Sequence, residues 1–146
     1  MKAKSLFTIG FILLGLSACS SEKVSHNATT LPVKARDLIS QNFASAISLV
    51  EEEKSMGTVK EYEVTLTDGS EITFTNSGEW KSVETPNNKP IPSGMVPTAI
   101  IKYVNAKHAG AYVVGIEKNK KGFEVELSNG VEIQFDKTGN FMNYDN

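Results

Sequence analysis

The chain has 146 residues, a single cysteine and a formal net charge of −2, and 22% of its residues are charged. One cysteine excludes a disulfide framework. The weakly acidic balance does not imply the broad basic face by which proteins bind nucleic acid, so we expect no nucleic-acid partner.

The first eighteen residues have the pattern of an export signal. Lys2 and Lys4 precede the apolar run LFTIGFILLGL (6–16), which ends in small residues. A positive start, a short apolar stretch and small residues before a break are typical of a secretory signal peptide. The run is shorter than the ~20 residues that a membrane-spanning helix needs. We therefore predict that residues 1–18 form a signal peptide.

The segment LSAC, which ends at Cys19, resembles the bacterial lipobox, in which the cysteine is lipidated and becomes the first mature residue. An unpaired thiol is unusual in an oxidising compartment, and acylation of Cys19 would explain it. The alternative is a secreted protein with an incidental cysteine. Ser20 and Ser21 follow, without the aspartate that signals inner-membrane retention in enterobacteria. We therefore expect a lipoprotein of the cell envelope, in the outer membrane, that faces the periplasm or the cell surface.

Beyond the cysteine, the chain divides into a polar lead and two similar segments. Residues 20–30 (SSEKVSHNATT) show no apolar period, which predicts a flexible tether over 19–30. The similar segments are 31–84 and 96–146, and we interpret them as repeats. Between them, residues 85–95 (TPNNKPIPSGM) contain three prolines, which predicts a semi-rigid linker.

Each repeat opens with an apolar residue and a proline, Leu31-Pro32 and Val96-Pro97, and proline suits the first turn of a helix. Apolar residues then recur three and four positions apart, which predicts one amphipathic helix per repeat with a stripe that covers a sheet. The stripe residues are Ala35, Leu38, Ile39 and Phe43 in the first repeat, and Ile100, Tyr103, Val104 and His108 in the second.

After each helix the apolar period changes to two, which predicts four strands. The inward residues are Ile47, Leu49, Tyr62, Val64, Leu66, Ile72 and Phe74 in the first repeat, and Tyr112, Val114, Phe123, Val125, Leu127, Ile133 and Phe135 in the second. Trp80 and Phe141 anchor a short fourth strand. The expected fold is α+β: a tandem repeat of a helix plus a four-stranded antiparallel sheet, with both helices packed on one face of an extended sheet.

Glycines mark the turns between these strands. Asp68-Gly69 and Asn129-Gly130 are typical of two-residue type I′ hairpins, in which both residues have positive φ. Gly78 and Gly139 instead suit three-residue loops that close on a left-handed glycine.

The runs YEVTLTDGSEITFTNSGEW (62–80) and FEVELSNGVEIQFDKTGNF (123–141) resemble the PepSY-like lipoproteins and secreted proteins of Bacteroidetes, which are similar to the β-lactamase inhibitor protein. This resemblance implies a repeated unit of a helix plus four strands. It also implies binding, in particular inhibition, at a sheet surface, and it implies no catalytic residue.

The sequence contains no pattern typical of catalysis. Its two histidines, His26 and His108, lie in the tether and on a helix stripe, and no His, Cys or carboxylate cluster has the spacing of a metal site. GxSxG, phosphate-loop and dinucleotide motifs do not occur. The stretch DKTGN (136–140) has too few oxygen ligands for an EF-hand loop, although a calcium site assembled from different strands or from the linker stays open. We expect no enzyme activity and no cofactor.

The candidate binding residues lie on the sheet face opposite the helices, because alternate residues of a strand point to opposite faces. They are Glu63, Thr65, Glu71, Thr73, Glu124, Glu126, Glu132 and Gln134. This mostly acidic face could steer a cationic patch of a protein partner in the envelope, such as a hydrolase. A merely solvated face is the alternative.

Three functions follow from these observations. The first is a lipid-anchored binding protein that inhibits or modulates a periplasmic or secreted enzyme through the exposed sheet face. The second is a structural lipoprotein of outer-membrane assembly. The third is a periplasmic sensor of calcium or another small ligand.

Overall fold

The computed structural model describes residues 22–86 and 89–145, so the signal peptide and Cys19 lie outside the described residues. These residues form one antiparallel sheet of nine strands, paired in chain order, with two α-helices. The strands are β1 (Glu22–Ser25), β2 (Ile47–Ser55), β3 (Thr58–Leu66), β4 (Glu71–Thr75), β5 (Trp80–Glu84), β6 (Val113–Lys118), β7 (Gly122–Leu127), β8 (Glu132–Asp136) and β9 (Phe141–Asp145). The helices are α1 (Val33–Asn42) and α2 (Thr98–Lys107). The fold is therefore α+β, as the sequence predicts.

The order of a helix followed by four strands occurs twice, as α1 with β2–β5 and α2 with β6–β9. Each helix begins directly after its proline, so Pro32 and Pro97 occupy the N-cap position rather than the first turn. At the other end, the backbone N–H groups of Phe43 and His108 still bond to carbonyls four residues back. None of the helices within residues 22–86 and 89–145 is long and apolar enough to cross a membrane.

The core lies between the two helices and one face of the sheet. The helices contribute the buried residues Ala35, Ile39, Ile100 and Val104, as their stripes predict. The strands contribute Val50, Val64, Leu66, Ile72, Phe74, Val83, Val113, Ile116, Val125, Leu127, Ile133 and Phe135. All of these residues belong to one cluster. Because a unit of about 50 residues is only marginally stable alone, this shared cluster stabilises both halves together.

The first strand of each half differs from simple alternation. A β-bulge lies between Ile47 and Leu49, so the fully buried residue of β2 is Val50, and Leu49 is only half-buried. A second bulge lies between Val113 and Gly115 in β6, where Val113, Val114 and Ile116 are all buried. A bulge adds one residue to a strand and so reverses the alternation beyond it.

Four hairpins close with the same loop geometry, namely β3–β4, β4–β5, β7–β8 and β8–β9. In each, a glycine in the left-handed region donates its N–H to the carbonyl three residues back; the glycines are Gly69, Gly78, Gly130 and Gly139. This is a type I turn followed by a left-handed glycine. The prediction is confirmed for the two loops that end in Gly78 and Gly139.

The type I′ prediction is wrong for Asp68-Gly69 and Asn129-Gly130, because neither Asp68 nor Asn129 has a positive φ. The Asp68 Oδ1 accepts the Ser70 N–H at 2.9 Å, and the Asn129 Oδ1 accepts the Val131 N–H at 3.2 Å. Such local side-chain acceptors stabilise the type I geometry.

The tether prediction is wrong from Glu22 onwards. Strand β1 pairs antiparallel with β2, and Ala28–Thr30 forms a 3₁₀ helix just before α1. His26 Nδ1 lies 2.9 Å from the Ser48 carbonyl oxygen. A polar segment can form an edge strand without an apolar period, because its backbone hydrogen bonds do not depend on its side chains.

The linker is packed more tightly than its prolines indicate. Ile91 and Met95 are buried in the core, and Ser93–Met95 forms a 3₁₀ helix before α2. The Ile91 N–H donates to the Val113 carbonyl at 2.9 Å. The Thr85 hydroxyl donates to the Val114 carbonyl. Asn87 and Asn88 lie outside the described residues.

Candidate binding face

The sheet face opposite the helices, here called the open face, carries all eight predicted binding residues. β3 presents Glu63 and Thr65, β4 presents Glu71 and Thr73, β7 presents Glu124 and Glu126, and β8 presents Glu132 and Gln134. All eight are half-buried, whereas their neighbours Val64, Ile72, Val125 and Ile133 are fully buried on the helix side. Alternation thus predicts the placement of these side chains, and their function is a separate question.

Cross-strand pairing arranges the open face into rows that run across the strands. The first row follows directly paired residues from β3 to β9: Thr65, Glu71, Glu84, Gly115, Glu126, Glu132 and Asp145. The second row is Glu63, Thr73, Ser82, Glu117, Glu124, Gln134 and Asn143. Directly opposed side chains lie ~5 Å apart, and like charges in such pairs are destabilising. The first row contains three pairs of this kind.

Glu84 is a carboxylate of the first row whose ionisation is strongly perturbed. Burial raises its pKa to about 7, and the charges of Glu71 and Glu126 act in the same direction. Gly115 separates Glu84 from Glu126 in the row and contributes no side chain between them. Near neutral pH this part of the face therefore exists in two protonation states, and a cation placed over it would favour the ionised one.

Glu117 gives the second row a similar feature. Burial raises its pKa, and Glu124 adds to the increase, whereas Lys81 opposes it. Lys81 itself forms an ion pair with Glu61 on β3. Glu117 is not among the eight predicted binding residues, although continued alternation from Val114 through β6 would place it on this face.

A cluster of three carboxylates, here called the carboxylate corner, lies where β7, β8 and β9 meet. One oxygen each of Glu124, Glu132 and Asp145 can be chosen so that all three lie within 4.8 Å of one another. The Gln134 amide donates to Glu124 at 2.7 Å and to Asp145 at 3.3 Å. Carboxylate oxygens are the ligands that calcium prefers, and they bind lysine and arginine equally well.

The acidic turn between β8 and β9 is satisfied by its own backbone. One Asp136 oxygen accepts the N–H groups of Thr138 and Asn140, each at 2.9 Å. These contacts, led by the Thr138 side chain, hold the pKa of Asp136 well below its usual range. The carboxylate thus stabilises the loop.

The histidines occupy structural positions. His108, predicted on the helix stripe, is half-buried at the C-cap of α2, and its Nε2 lies 3.1 Å from the Tyr144 hydroxyl. Tyr144 and Phe141 belong to an aromatic cluster around Tyr103, whose ring stacks on Phe141 at a centroid distance of 5.0 Å. This cluster covers the outer end of the core at β9.

Comparison with known proteins agrees with this architecture. The family described as "Putative beta-lactamase-inhibitor-like, PepSY-like" matches residues 60–143. The chain belongs to this PepSY-like family. The resemblance predicted from the two repeated runs is therefore confirmed. No curated protein matches the chain.

Three solved structures from Bacteroides resemble this PepSY-like protein, and each match covers 86% of this protein's 146-residue chain. A periplasmic protein of unknown function from Bacteroides vulgatus is 37% identical over 100% of its own chain, with a TM-score of 0.80. A "putative calcium-regulated periplasmic protein" from Bacteroides thetaiotaomicron is 34% identical over 97% of its chain, with a TM-score of 0.77. A periplasmic protein of the DUF2874 family from Bacteroides vulgatus is 32% identical over 97%, with a TM-score of 0.76. These descriptions support an envelope or periplasmic location.

Proposed function

We propose that this PepSY-like protein is a non-catalytic, lipid-anchored binding protein of the cell envelope, and that its open face binds a cationic surface of a protein partner. The first row carries this proposal, because it sets like charges opposite one another across β4–β5 and β7–β9. A binding surface of this kind would inhibit or modulate a periplasmic or secreted enzyme, which the family description favours.

The energetics of Glu84 support a cationic partner in particular. Its raised pKa means that the ionised form is destabilised by burial and by its neighbours. A lysine or arginine that approaches Glu71, Glu84 and Glu126 would offset this repulsion and lower the pKa of Glu84. Binding near neutral pH would therefore release a proton, and added salt would weaken it.

We also propose that the two halves are copies of one unit. Each copy has a 3₁₀ helix, a proline-capped helix and four strands. In each copy, the segment before the helix also forms a hydrogen bond with the first strand of the unit. The partners are His26 and Ser48 in one half, and Ile91 and Val113 in the other. Two copies side by side make a sheet wide enough for an extended row of carboxylates.

Affinity capture from envelope extract tests the main proposal with matched charge variants. The face variant is Glu71→Gln/Glu132→Gln, and the control is Asp37→Asn/Glu79→Gln, which removes the same charge from exposed positions on α1 and on the β4–β5 loop. We expect one partner to be captured by the native protein and by the control, and to be lost from the face variant. Equal capture by all three baits would contradict binding at the open face.

A second function, calcium binding, is favoured by the carboxylate corner. One neighbour at 34% identity is described as calcium-regulated, and the corner brings three carboxylates of this chain within 4.8 Å. Binding would raise stability by RT ln(1 + [Ca²⁺]/Kd). The melting temperature should then rise with calcium in the native protein and in the Asp37→Asn/Glu79→Gln control, and should not rise in Glu132→Gln. An identical response of the native protein and Glu132→Gln would exclude the corner as the site.

A further inference from the structure

The two ends of the sheet differ in charge and in exposed apolar surface. Because the strands follow one another in antiparallel order, the loops β2–β3, β4–β5, β6–β7 and β8–β9 all lie at one end. The start of β1 lies at the same end, since Glu22 pairs with Glu53 near the tip of β2. We call this the anchor end.

The chain reaches the anchor end directly from the predicted lipidation site. Cys19 precedes Glu22 by three residues, and three residues span at most about 10 Å. Acyl chains on Cys19 would therefore hold the anchor end against the membrane, and its surface would face the lipid headgroups.

Met56 at the tip of the β2–β3 hairpin is the first feature that fits a lipid surface. Its side chain is 96% exposed, and its φ of 52° lies in the left-handed region. Together with Gly57 at φ 76° it forms the type I′ geometry that asparagine or glycine usually provides. Within residues 22–86 and 89–145, this unbranched apolar side chain is almost fully exposed. Val33, 61% exposed at the start of α1, lies at the same end, since its neighbour Lys34 forms an ion pair with Glu79 of the β4–β5 loop.

Positive charge is the second feature. Four exposed lysines lie in or next to the loops of the anchor end: Lys60, Lys120, Lys121 and Lys137. None of them belongs to an ion pair within residues 22–86 and 89–145.

The carboxylates at this end are mostly engaged. Glu61 pairs with Lys81, Glu79 pairs with Lys34, and Asp136 accepts hydrogen bonds from its own turn. Glu53 is exposed. The acidic first row lies towards the opposite end of the strands. The four exposed lysines therefore lie at one end of the strands, and the acidic first row lies towards the other.

We propose that the anchor end docks on an anionic phospholipid surface, with Met56 inserted among the headgroups and the four lysines above the lipid phosphates. This inference rests on the lipid anchor of the proposed function. Apolar side chains combined with basic residues bind anionic membranes, and a basic patch strengthens a weak acyl anchor. In this orientation the strands run away from the membrane surface. The acidic first row of the open face is then held away from lipid of the same charge.

Site-specific fluorescence on the mature lipidated chain tests this orientation. Because Cys19 is the only cysteine and is blocked by acylation, Met56→Cys provides a single thiol for an environment-sensitive dye. The control is Thr67→Cys, an exposed position in the loop at the opposite end. Both proteins are bound to vesicles of phosphatidylethanolamine with phosphatidylglycerol, and to neutral phosphatidylcholine vesicles, with and without headgroup spin labels.

We expect the dye at position 56 to shift to the blue and to lose most of its emission to spin-labelled lipid, and the dye at 67 to do neither. Changing all four lysines to glutamine should abolish the preference for phosphatidylglycerol. Flotation with the vesicles but equal quenching at positions 56 and 67 would overturn the orientation and leave the anchor intact. Failure of the mature chain to float would overturn the anchor and the orientation together.

Discussion

Glu84 on β5 stands directly opposite Glu71 on β4, so two carboxylates face each other across neighbouring strands of the open face. Burial, Glu71 and Glu126 together raise the pKa of Glu84 to about 7. A surface that binds a cation would be expected to destabilise an ionised carboxylate in this way. The raised pKa also makes the stability of the fold depend on pH.

Glu84→Gln should stabilise the protein in a pH-dependent manner. The folded pKa of Glu84 is about 7 and the ordinary value is 4.5, so the folded state binds more protons between these values. The protonated Glu84 carboxyl is therefore the form that the fold tolerates. The stability that depends on this form is fully present below the unfolded pKa and is lost as the pH rises towards 7. Because solvent screens a half-buried carboxyl, we expect a gain of about 1–2 kcal/mol for the variant at about pH 8, and almost none at about pH 4. Urea unfolding at both values, with Asp37→Asn as control, measures this difference. A gain of the same size at both pH values would contradict the assignment.

Gly139→Ala should destabilise the protein more than Gly130→Ala. Both glycines have a left-handed φ, 84° and 80°, so an alanine incurs the same backbone strain of about 1 kcal/mol at either position. A Cβ at Gly139 would lie 3.0 Å from the Ala99 Cβ on α2, whereas no atom of residues 22–86 and 89–145 would lie within 4 Å of a Cβ at Gly130. We expect thermal unfolding to show about 1 kcal/mol of extra loss for Gly139→Ala. Equal losses would mean that α2 does not pack against the β8–β9 loop.

Trp80→Ala should destabilise the protein more than Phe141→Ala, although the two residues hold equivalent places. Trp80 is half-buried against the core, and the Lys118 Nζ lies 3.5 Å from its ring centroid. Phe141 is 39% exposed, and its ring contacts Tyr103 and Tyr144. Since full burial of such a ring is worth 3–5 kcal/mol, we expect losses of about 2–3 kcal/mol for Trp80→Ala and about 1–2 kcal/mol for Phe141→Ala. Chemical denaturation of both variants compares the two losses in free energy of unfolding. A larger loss for Phe141→Ala would contradict this prediction and would mean that Phe141 contributes more to the core than Trp80.

Alternation of apolar residues predicts most of the core but only part of the open face. It places Val64, Ile72, Val125 and Ile133 inward because β3, β4, β7 and β8 pair regularly at these residues. It does not predict β1, since an edge strand held by backbone hydrogen bonds needs no apolar period.

Two bulges place Glu84 and Asp145 on the open face, where simple alternation does not predict them. Alternation from the inward Trp80 would place Glu84 on the core side. A bulge opposite Phe74 reverses the alternation of side chains along β5, so that Val83 is buried instead. A corresponding bulge opposite Phe135 turns Asp145 to the open face. Bulges depend on pairing between strands, and they have no signal in the sequence of one strand.

Photo-crosslinking in living cells tests the central claim, binding at the open face, most directly. A photoreactive residue would replace Thr73, at the middle of the open face, or Lys102, exposed on α2 at the opposite side. We predict one specific adduct from position 73 that is absent at 102 and is lost when Glu71 and Glu132 are changed to glutamine. Adducts from 102 alone, or the same adducts from both positions, would contradict the account.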